Sequence, residues 1–158
     1  MITEAEYKRH LHWMRQAIAI AEIAGQSGEI PVGAIIVDGE NLPIAQSGNR
    51  KEKHQDPIAH AEVLAIRAAS LMRQNWHLDD CTLYVTLEPC PMCAGAIIHA
   101  RLKQVVYGTD DPKTGVLRSV ANFADAPFSN HHFDVVGGIA ETECHHLLHE
   151  WFMKSRQS

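Results

Sequence analysis

Apolar residues near the start of the chain recur at the spacing of one helix face. Five of them are separated by four, three, four and three positions: Tyr7, Leu11, Met14, Ile18 and Ala21. An α-helix completes a turn in about 3.6 residues, so these side chains lie along one side of an amphipathic helix. The helix is predicted to end near Gly25, because glycine commonly follows the last helical turn.

After this helix the pattern alternates between short β-rich runs and further helical stretches. Strands are predicted over 32–37, 42–45, 81–87, 103–107 and 133–136. Helices are predicted over 59–72, from the prolines at 89 and 91 to about 101, and over 139–153. Strands that alternate with helices indicate an α/β protein, in which helices cover a central sheet.

Two segments follow neither pattern. The polar stretch 48–57 is predicted to be a loop. The stretch 108–132 is too long for an unstructured connection inside a compact domain. We therefore expect it to contain a short helix, around Ser119 to Ala124, or to serve the function directly.

The composition limits the possible classes of protein. The chain has 158 residues, of which 46% are apolar and 21% are charged. A chain of this length can bury a core as one domain, so we expect a single domain over 1–158. No apolar run approaches the roughly 20 residues that span a membrane, and the acidic N-terminus lacks the apolar core of a signal peptide. Both observations predict a cytoplasmic protein.

Two short segments carry candidate chemistry. His60-Ala61-Glu62 stands at the predicted start of one helix, and Cys90 and Cys93 stand at the start of the next. Cysteines three residues apart lie on one helix face, and the positive end of the helix dipole favours their thiolate form. With His60 from a neighbouring helix they could bind zinc. Three protein ligands with a fourth position open to water are typical of a catalytic site, where Glu62 could move protons.

Other interpretations of the cysteines remain open. Thioredoxin-like redox sites also contain a Cys-x-x-Cys pair, although redox chemistry would not require the His-Ala-Glu segment. A closed structural zinc site would need a fourth ligand, for which Cys81 or His99 could be proposed. Cys81 and Cys144 are otherwise expected to be small, buried hydrophobic residues.

The two segments together resemble the signature of the zinc-dependent nucleoside and nucleobase deaminases. Five segments, in order, are similar to the bacterial tRNA-specific adenosine deaminases: 29–34, 48–50, 60–62, 83–90 and 111–115. The metal motif is shared across the cytidine and deoxycytidylate deaminase superfamily, whereas the segment 111–115 favours the tRNA enzymes. The resemblance implies a three-layer α-β-α fold with a central mixed sheet of about five strands, a homodimer, and one zinc ion per subunit.

The resemblance also implies a reaction and the residues that carry it. The family hydrolyses adenosine to inosine at the wobble position of a tRNA anticodon, so an anticodon stem-loop is the implied partner. In this sequence His60, Cys90 and Cys93 match the zinc ligands. Glu62 matches the proton shuttle that serves the zinc-activated hydroxide.

Four further positions match substrate contacts of the family. Asn49 matches a residue that hydrogen-bonds the target base. Asp111 lies in the RNA-contacting loop, where a carboxylate could accept from a ribose 2′-hydroxyl. Val32 and Ala34 are expected to line the base pocket. On local sequence alone, Asn49 and Asp111 would be ordinary turn residues.

Two other functions remain open on the sequence. A deaminase of free guanine, cytosine or cytidine would share the same zinc motif. A non-catalytic, zinc-stabilised RNA-binding module would use the ion for folding and would not depend on Glu62 for chemistry.

Charge is unevenly distributed along the chain. The net charge of −5 excludes a generally basic nucleic-acid binder. The stretches 49–54 and 101–118 nevertheless hold seven of the 14 basic residues and only three of the 19 acidic ones. They predict a local RNA-binding face beside the metal helix. Three histidines of the last helix are expected to be incidental surface residues: His145, His146 and His149.

Overall fold

The first helix of the structure begins at a reciprocal cap. In this computed structural model, which describes residues 1–157, the Thr3 hydroxyl accepts from the Glu6 N–H and the Glu6 carboxylate accepts from the Thr3 N–H. Both hydrogen bonds satisfy helix-end donors. The helices are α1 (Glu4–Gln26), α2 (Lys51–His54), α3 (Ala61–Arg73), α4 (Pro91–Ala100) and α5 (Glu141–Arg156). Within the described residues, every helix is too short or too polar to cross a membrane.

A five-stranded mixed sheet forms the centre of the fold. Its strands are β1 (Gly33–Val37), β2 (Pro43–Gly48), β3 (Thr82–Leu87), β4 (Gln104–Thr109) and β5 (Asp134–Val136). They lie in the order β2-β1-β3-β4-β5. β1 runs antiparallel to both β2 and β3, whereas β3, β4 and β5 run parallel to one another. The mixed sheet of about five strands is confirmed.

Helices cover both faces of this sheet. Successive residues of a strand point to opposite faces, and β1 is buried along its whole length. Ala34 and Ile36 belong to a core that includes residues of α3 and α4. Ile35 and Val37 belong to a second core with residues of α1 and α5. The predicted three-layer α-β-α architecture is therefore confirmed.

Two local predictions are corrected by the structure. Part of the predicted loop 48–57 forms the short helix α2, because the buried carboxylate of Glu29 accepts from the N–H groups of Glu52 and Lys53. The helix predicted around Ser119 to Ala124 is wrong, since that stretch forms turns and irregular backbone. The Phe123 N–H, which a helix would pair with the Ser119 carbonyl, donates instead to the Val116 carbonyl. The Arg118 and Ser119 N–H groups donate to the Glu88 side chain.

A buried histidine on α1 makes the stability of the fold sensitive to pH. His10 is 1% exposed, and its Nδ1 lies 2.9 Å from the Tyr84 hydroxyl. Burial lowers the pKa of His10 below its ordinary value of 6.5. The unfolded chain therefore takes up this proton first as the pH falls. We expect stability to decrease below about pH 6.5.

The variant His10→Gln isolates this effect, because glutamine can bond Tyr84 and does not titrate. Urea unfolding of both proteins at neutral and mildly acidic pH is the measurement. We expect a smaller loss of unfolding free energy on acidification in the variant. An equal loss in the two proteins would show that His10 is not responsible.

Candidate metal centre and active site

Two helix starts bring the predicted metal ligands together. His60 is the N-cap of α3, and Cys90 is the N-cap of α4, where Pro91 occupies the first turn. Proline is compatible with that position because its missing N–H has no helical partner. The Nδ1 atom of His60 lies 3.7 Å from Sγ of Cys90 and 3.5 Å from Sγ of Cys93. All three donor atoms lie within 4.8 Å of one another.

These distances suit a tetrahedral zinc ion. Zinc binds sulfur at about 2.3 Å and histidine nitrogen at about 2.0–2.1 Å, so two such ligands lie about 3.6 Å apart in a tetrahedral shell. The observed separations of 3.7 and 3.5 Å match that value. One nitrogen and two sulfur donors are also a typical zinc ligand set. Both nitrogen–sulfur separations therefore fit a shared zinc ion.

Hydrogen bonds among the same three side chains shift the pKa values of the two cysteines. A hydrogen bond from Cys93 lowers the pKa of the Cys90 thiol to about 4, and His60 lowers it further. The pKa of Cys93 is raised, first because Cys90 is its hydrogen-bond partner and then by burial. Metal binding displaces such protons, because the ligands are thiolate and neutral imidazole.

Neither Cys81 nor His99 lies where it could complete a closed four-ligand zinc site. Among residues 1–157 this is the only group of three or more such side chains close enough to hold a metal ion. Cys81 is fully buried in the core, with Sγ 3.5 Å from the Asp80 carboxylate. His99 lies in the last turn of α4, whereas the metal ligands stand at its start.

The metal group opens into a large cavity. The cavity has a volume of about 650 Å³, which lies within the range of small-molecule sites. Its wall includes residues of the loop before β1, the end of β4, the segment 110–114 and α5. The space is large enough for a base with its ribose.

Glu62 faces this cavity from the first turn of α3. Its side chain is 4% exposed and lies beside Cys93. Burial raises the pKa of the Glu62 carboxyl. A carboxyl with a raised pKa is suited to both accepting and donating a proton near neutral pH.

Asn49 also lines the cavity, with part of its amide already bonded. Its Oδ1 accepts from the Ala61 N–H at 2.8 Å, and its Nδ2 donates to the Ile30 carbonyl at 3.2 Å. The first bond satisfies an N–H at the start of α3, beside the ligand His60. An amide nitrogen carries two hydrogens, so one N–H of Asn49 is available to a ligand.

The other predicted substrate positions differ in their surroundings. Val32 lines the cavity, whereas Ala34 does not; it is fully buried in the core between β1 and the helices. Asp111 lines the cavity, but its carboxylate accepts from the Lys113 N–H, the Thr114 N–H and the Thr114 hydroxyl. The turn role that local sequence favours for Asp111 is therefore present in the structure.

Comparison with known proteins shows the family to which the chain belongs. Residues 7–109 match the family model described as the cytidine and deoxycytidylate deaminase zinc-binding region. The chain is 44% identical over 144 residues to the tRNA-specific adenosine deaminase of Haemophilus influenzae, covering 91% of this chain and 83% of that protein. The chain belongs to the tRNA-specific adenosine deaminase family. It is accordingly a zinc-dependent hydrolytic deaminase.

Solved structures agree with this family. One, from studies of A-to-I editing by tRNA:A34 deaminases at the wobble position of transfer RNA, has a TM-score of 0.84 and 42% identity. The match covers 87% of this chain and 99% of the chain in that structure. A guanine deaminase from Bacillus subtilis has a TM-score of 0.59 and 39% identity, over 69% of this chain and 66% of that one.

The basic face predicted for this deaminase is only partly beside the metal centre. Lys51 and Lys113 line the cavity. Arg101 caps the far end of α4 and donates to Asn130. Since α4 has ten residues, Arg101 lies about 15 Å from the metal ligands along the helix. Lys103 precedes β4, whose opposite end meets the cavity, so neither residue contributes to a face there.

The last helix forms part of the wall, which the sequence did not predict. His145 and His149 line the cavity with stacked rings whose centroids are 6.1 Å apart. His146 points elsewhere and lies 3.3 Å from the Glu150 carboxylate. The i, i+4 spacing placed two histidines on one face, but no local signal indicated that this face meets the active site.

Proposed function

We propose that this protein hydrolyses adenosine to inosine at the wobble position of a tRNA anticodon. The observation that carries the proposal is the position of Glu62, which faces a base-sized cavity beside three side chains that can hold zinc. Family membership and 44% identity to a tRNA-specific adenosine deaminase support the choice of substrate. A free-guanine deaminase is less favoured, because the similarity to the guanine enzyme covers less of both chains.

His60, Cys90 and Cys93 would hold one zinc ion per subunit. When bound, the ion supplies the positive charge that makes water a nucleophile at neutral pH. His60 and Cys90 also line the cavity, which is where a water or substrate could reach the ion. Glu62 lines the same cavity as His60 and Cys90, so a substrate in the cavity would lie beside both the metal group and Glu62.

Glu62 carries the proton through the reaction. A carboxylate oxygen of Glu62 takes a proton from the attacking water and later gives one to the departing amino nitrogen. The new bond joins the water oxygen to C6 of adenine, and the bond between C6 and the amino nitrogen breaks, releasing ammonia. Burial of Glu62 excludes bulk water that would otherwise compete for the proton.

Asn49 and Val32 would position the base. The free N–H of Asn49 can donate to a ring nitrogen of the purine, while its other bonds hold the amide in place. Val32 offers an apolar contact at the cavity wall. Asp111 retains acceptor capacity beyond its three internal bonds, and a ribose hydroxyl could use it.

We also propose that the chain is one domain over 1–158, acts in the cytoplasm and forms a homodimer. Large apolar side chains remain exposed on a single subunit, among them Leu71, Met72 and Trp76. Their burial against a second copy would stabilise the assembly. Sedimentation velocity on the zinc-loaded protein tests the dimer, and a monomer at all concentrations would contradict it.

A substrate panel tests the proposed function. Zinc-loaded protein is offered free guanine, cytidine, adenosine and an anticodon stem-loop with adenosine at the wobble position. We expect inosine only in the stem-loop. Turnover of a free base or nucleoside with an unmodified stem-loop would favour the related deaminases. Binding of the stem-loop with no turnover of any compound would favour a zinc-stabilised RNA-binding module.

Salt dependence should identify the basic residues that contact RNA. Replacing Lys51 and Lys113 by alanine removes two cations from the cavity rim. We expect a weaker dependence of the stem-loop KM on salt, with the logarithmic slope reduced by up to about 1.4. Lys8→Ala is the control, because Lys8 pairs with Glu4 on α1. Equal slopes in all three proteins would exclude a phosphate contact at this rim.

A further inference from the structure

We propose that Glu88 is a positioning residue that holds the segment 111–119 in place as the substrate-side wall of the active site. Glu88 directly follows β3 and stands two residues before Cys90. It is 1% exposed, and it borders the same cavity as Glu62. The inference rests on the proposed function, because it concerns how the RNA substrate is held.

One carboxylate organises most of this segment. Oε2 of Glu88 accepts from the N–H groups of Leu117, Arg118 and Ser119 at 3.0, 2.8 and 3.0 Å. Oε1 accepts from the Asp111 N–H at 3.1 Å and from the Ser119 hydroxyl. All five partners are donors, so the side chain acts as an ionised acceptor.

The segment depends on these bonds because it has no regular structure of its own. Residues 111–119 form turns without a helix or strand. Buried N–H groups need partners, and Leu117 is 4% exposed. Glu88 supplies the acceptor for four backbone N–H groups of this segment. The buried carboxylate therefore takes the place of backbone acceptors in this segment.

The segment 111–119 and the Glu88 side chain are packed closely against each other. A Cβ atom at Gly115 would overlap the Glu88 carboxyl. Glycine thus lets the backbone approach the carboxylate. The contact continues into the metal-binding turn, since the Val116 N–H donates to the Pro89 carbonyl at 3.1 Å.

This arrangement links the substrate wall to the metal centre. Asp111, Pro112, Lys113 and Thr114 line the cavity at one end of the segment. Glu88 fastens both ends of the segment, at Asp111 and at residues 117–119, to the chain that leads into Cys90. Loosening the segment should move the wall that contacts RNA while the metal ligands stay where they are.

Two variants test this role by different routes. Glu88→Gln replaces one acceptor oxygen by a donor, which cannot accept from the N–H groups facing it. Gly115→Ala leaves Glu88 intact but pushes the segment off the carboxylate. Glu40→Gln, in an exposed turn between β1 and β2, is the control. Amide hydrogen exchange, zinc content, KM and kcat are measured for each protein with the stem-loop.

We expect faster exchange at Leu117, Arg118 and Ser119 in both test variants. We expect the stem-loop KM to rise about tenfold or more, the size of one lost hydrogen bond to a charged group. Zinc content and kcat should stay near those of the control. Loss of zinc, or a fall in kcat at unchanged KM, would overturn the proposal, because Glu88 would then support the metal helix. Unchanged exchange would also overturn it.

If the proposed function itself is wrong, the same experiment gives a different result. Wild-type protein would then leave the stem-loop unmodified. The exchange comparison would still decide whether Glu88 fixes the segment, and unprotected amides at 117–119 in wild-type protein would overturn that part.

Discussion

Replacing Glu62 by glutamine is expected to lower deamination of the stem-loop by about 10³-fold or more. Glutamine has nearly the same shape but cannot take a proton from water. Because Glu62 is outside the group of three metal-binding side chains, zinc content should remain at one ion per subunit. Single-turnover kinetics and metal analysis on the same preparation measure both quantities.

A control separates this effect from general damage. Glu22→Gln changes an exposed carboxylate on α1, so it should deaminate the stem-loop at the wild-type rate. Wild-type activity in Glu62→Gln would refute the proton-transfer role. Loss of zinc together with activity would instead mean that Glu62 supports the ligands.

Replacing Cys93 by alanine should abolish stoichiometric zinc binding and, with it, activity. Cys93 supplies one of three donors, and the remaining two cannot complete a zinc site of useful affinity. The side chain is fully buried, so a small loss of stability is also expected from the space left behind. Metal analysis after dialysis is the measurement.

Cys81→Ala is the matched control, since Cys81 is an equally buried cysteine in the core. It should retain one zinc ion per subunit. Normal zinc content in Cys93→Ala would remove Cys93 from the site, and zinc loss in Cys81→Ala would revive the closed structural site.

Much of the fold was predictable because its signals are local. The period of α1, the β-rich runs and the prolines before α4 each lie within one element. The backbone around Ser119 to Ala124 is held by partners outside that stretch. The Phe123 N–H bonds the Val116 carbonyl, and the Arg118 and Ser119 N–H groups bond Glu88, which is about thirty positions earlier in the chain. A pattern within the segment itself cannot show that partner.

The candidate site shows the same contrast between local signals and long-range contacts. His60, Cys90 and Cys93 were predictable because their spacing and helix-start positions are encoded locally, and the two helices lie side by side. The roles of Glu88 and of the His145–His149 pair depend on which distant element packs against them. For Glu88, the signal in the sequence is an acidic residue directly between an apolar strand and the Pro89-Cys90 metal motif.

The most direct test of the proposed reaction is the product formed from the stem-loop in water enriched in the heavy oxygen isotope. Zinc-loaded protein is incubated with the RNA, and the nucleosides are separated and weighed by mass spectrometry. We expect inosine at the wobble position alone, carrying one heavy oxygen at C6, with one ammonia released for each inosine. Adenosine left intact at that position, or inosine without the heavy oxygen, would contradict the proposed reaction.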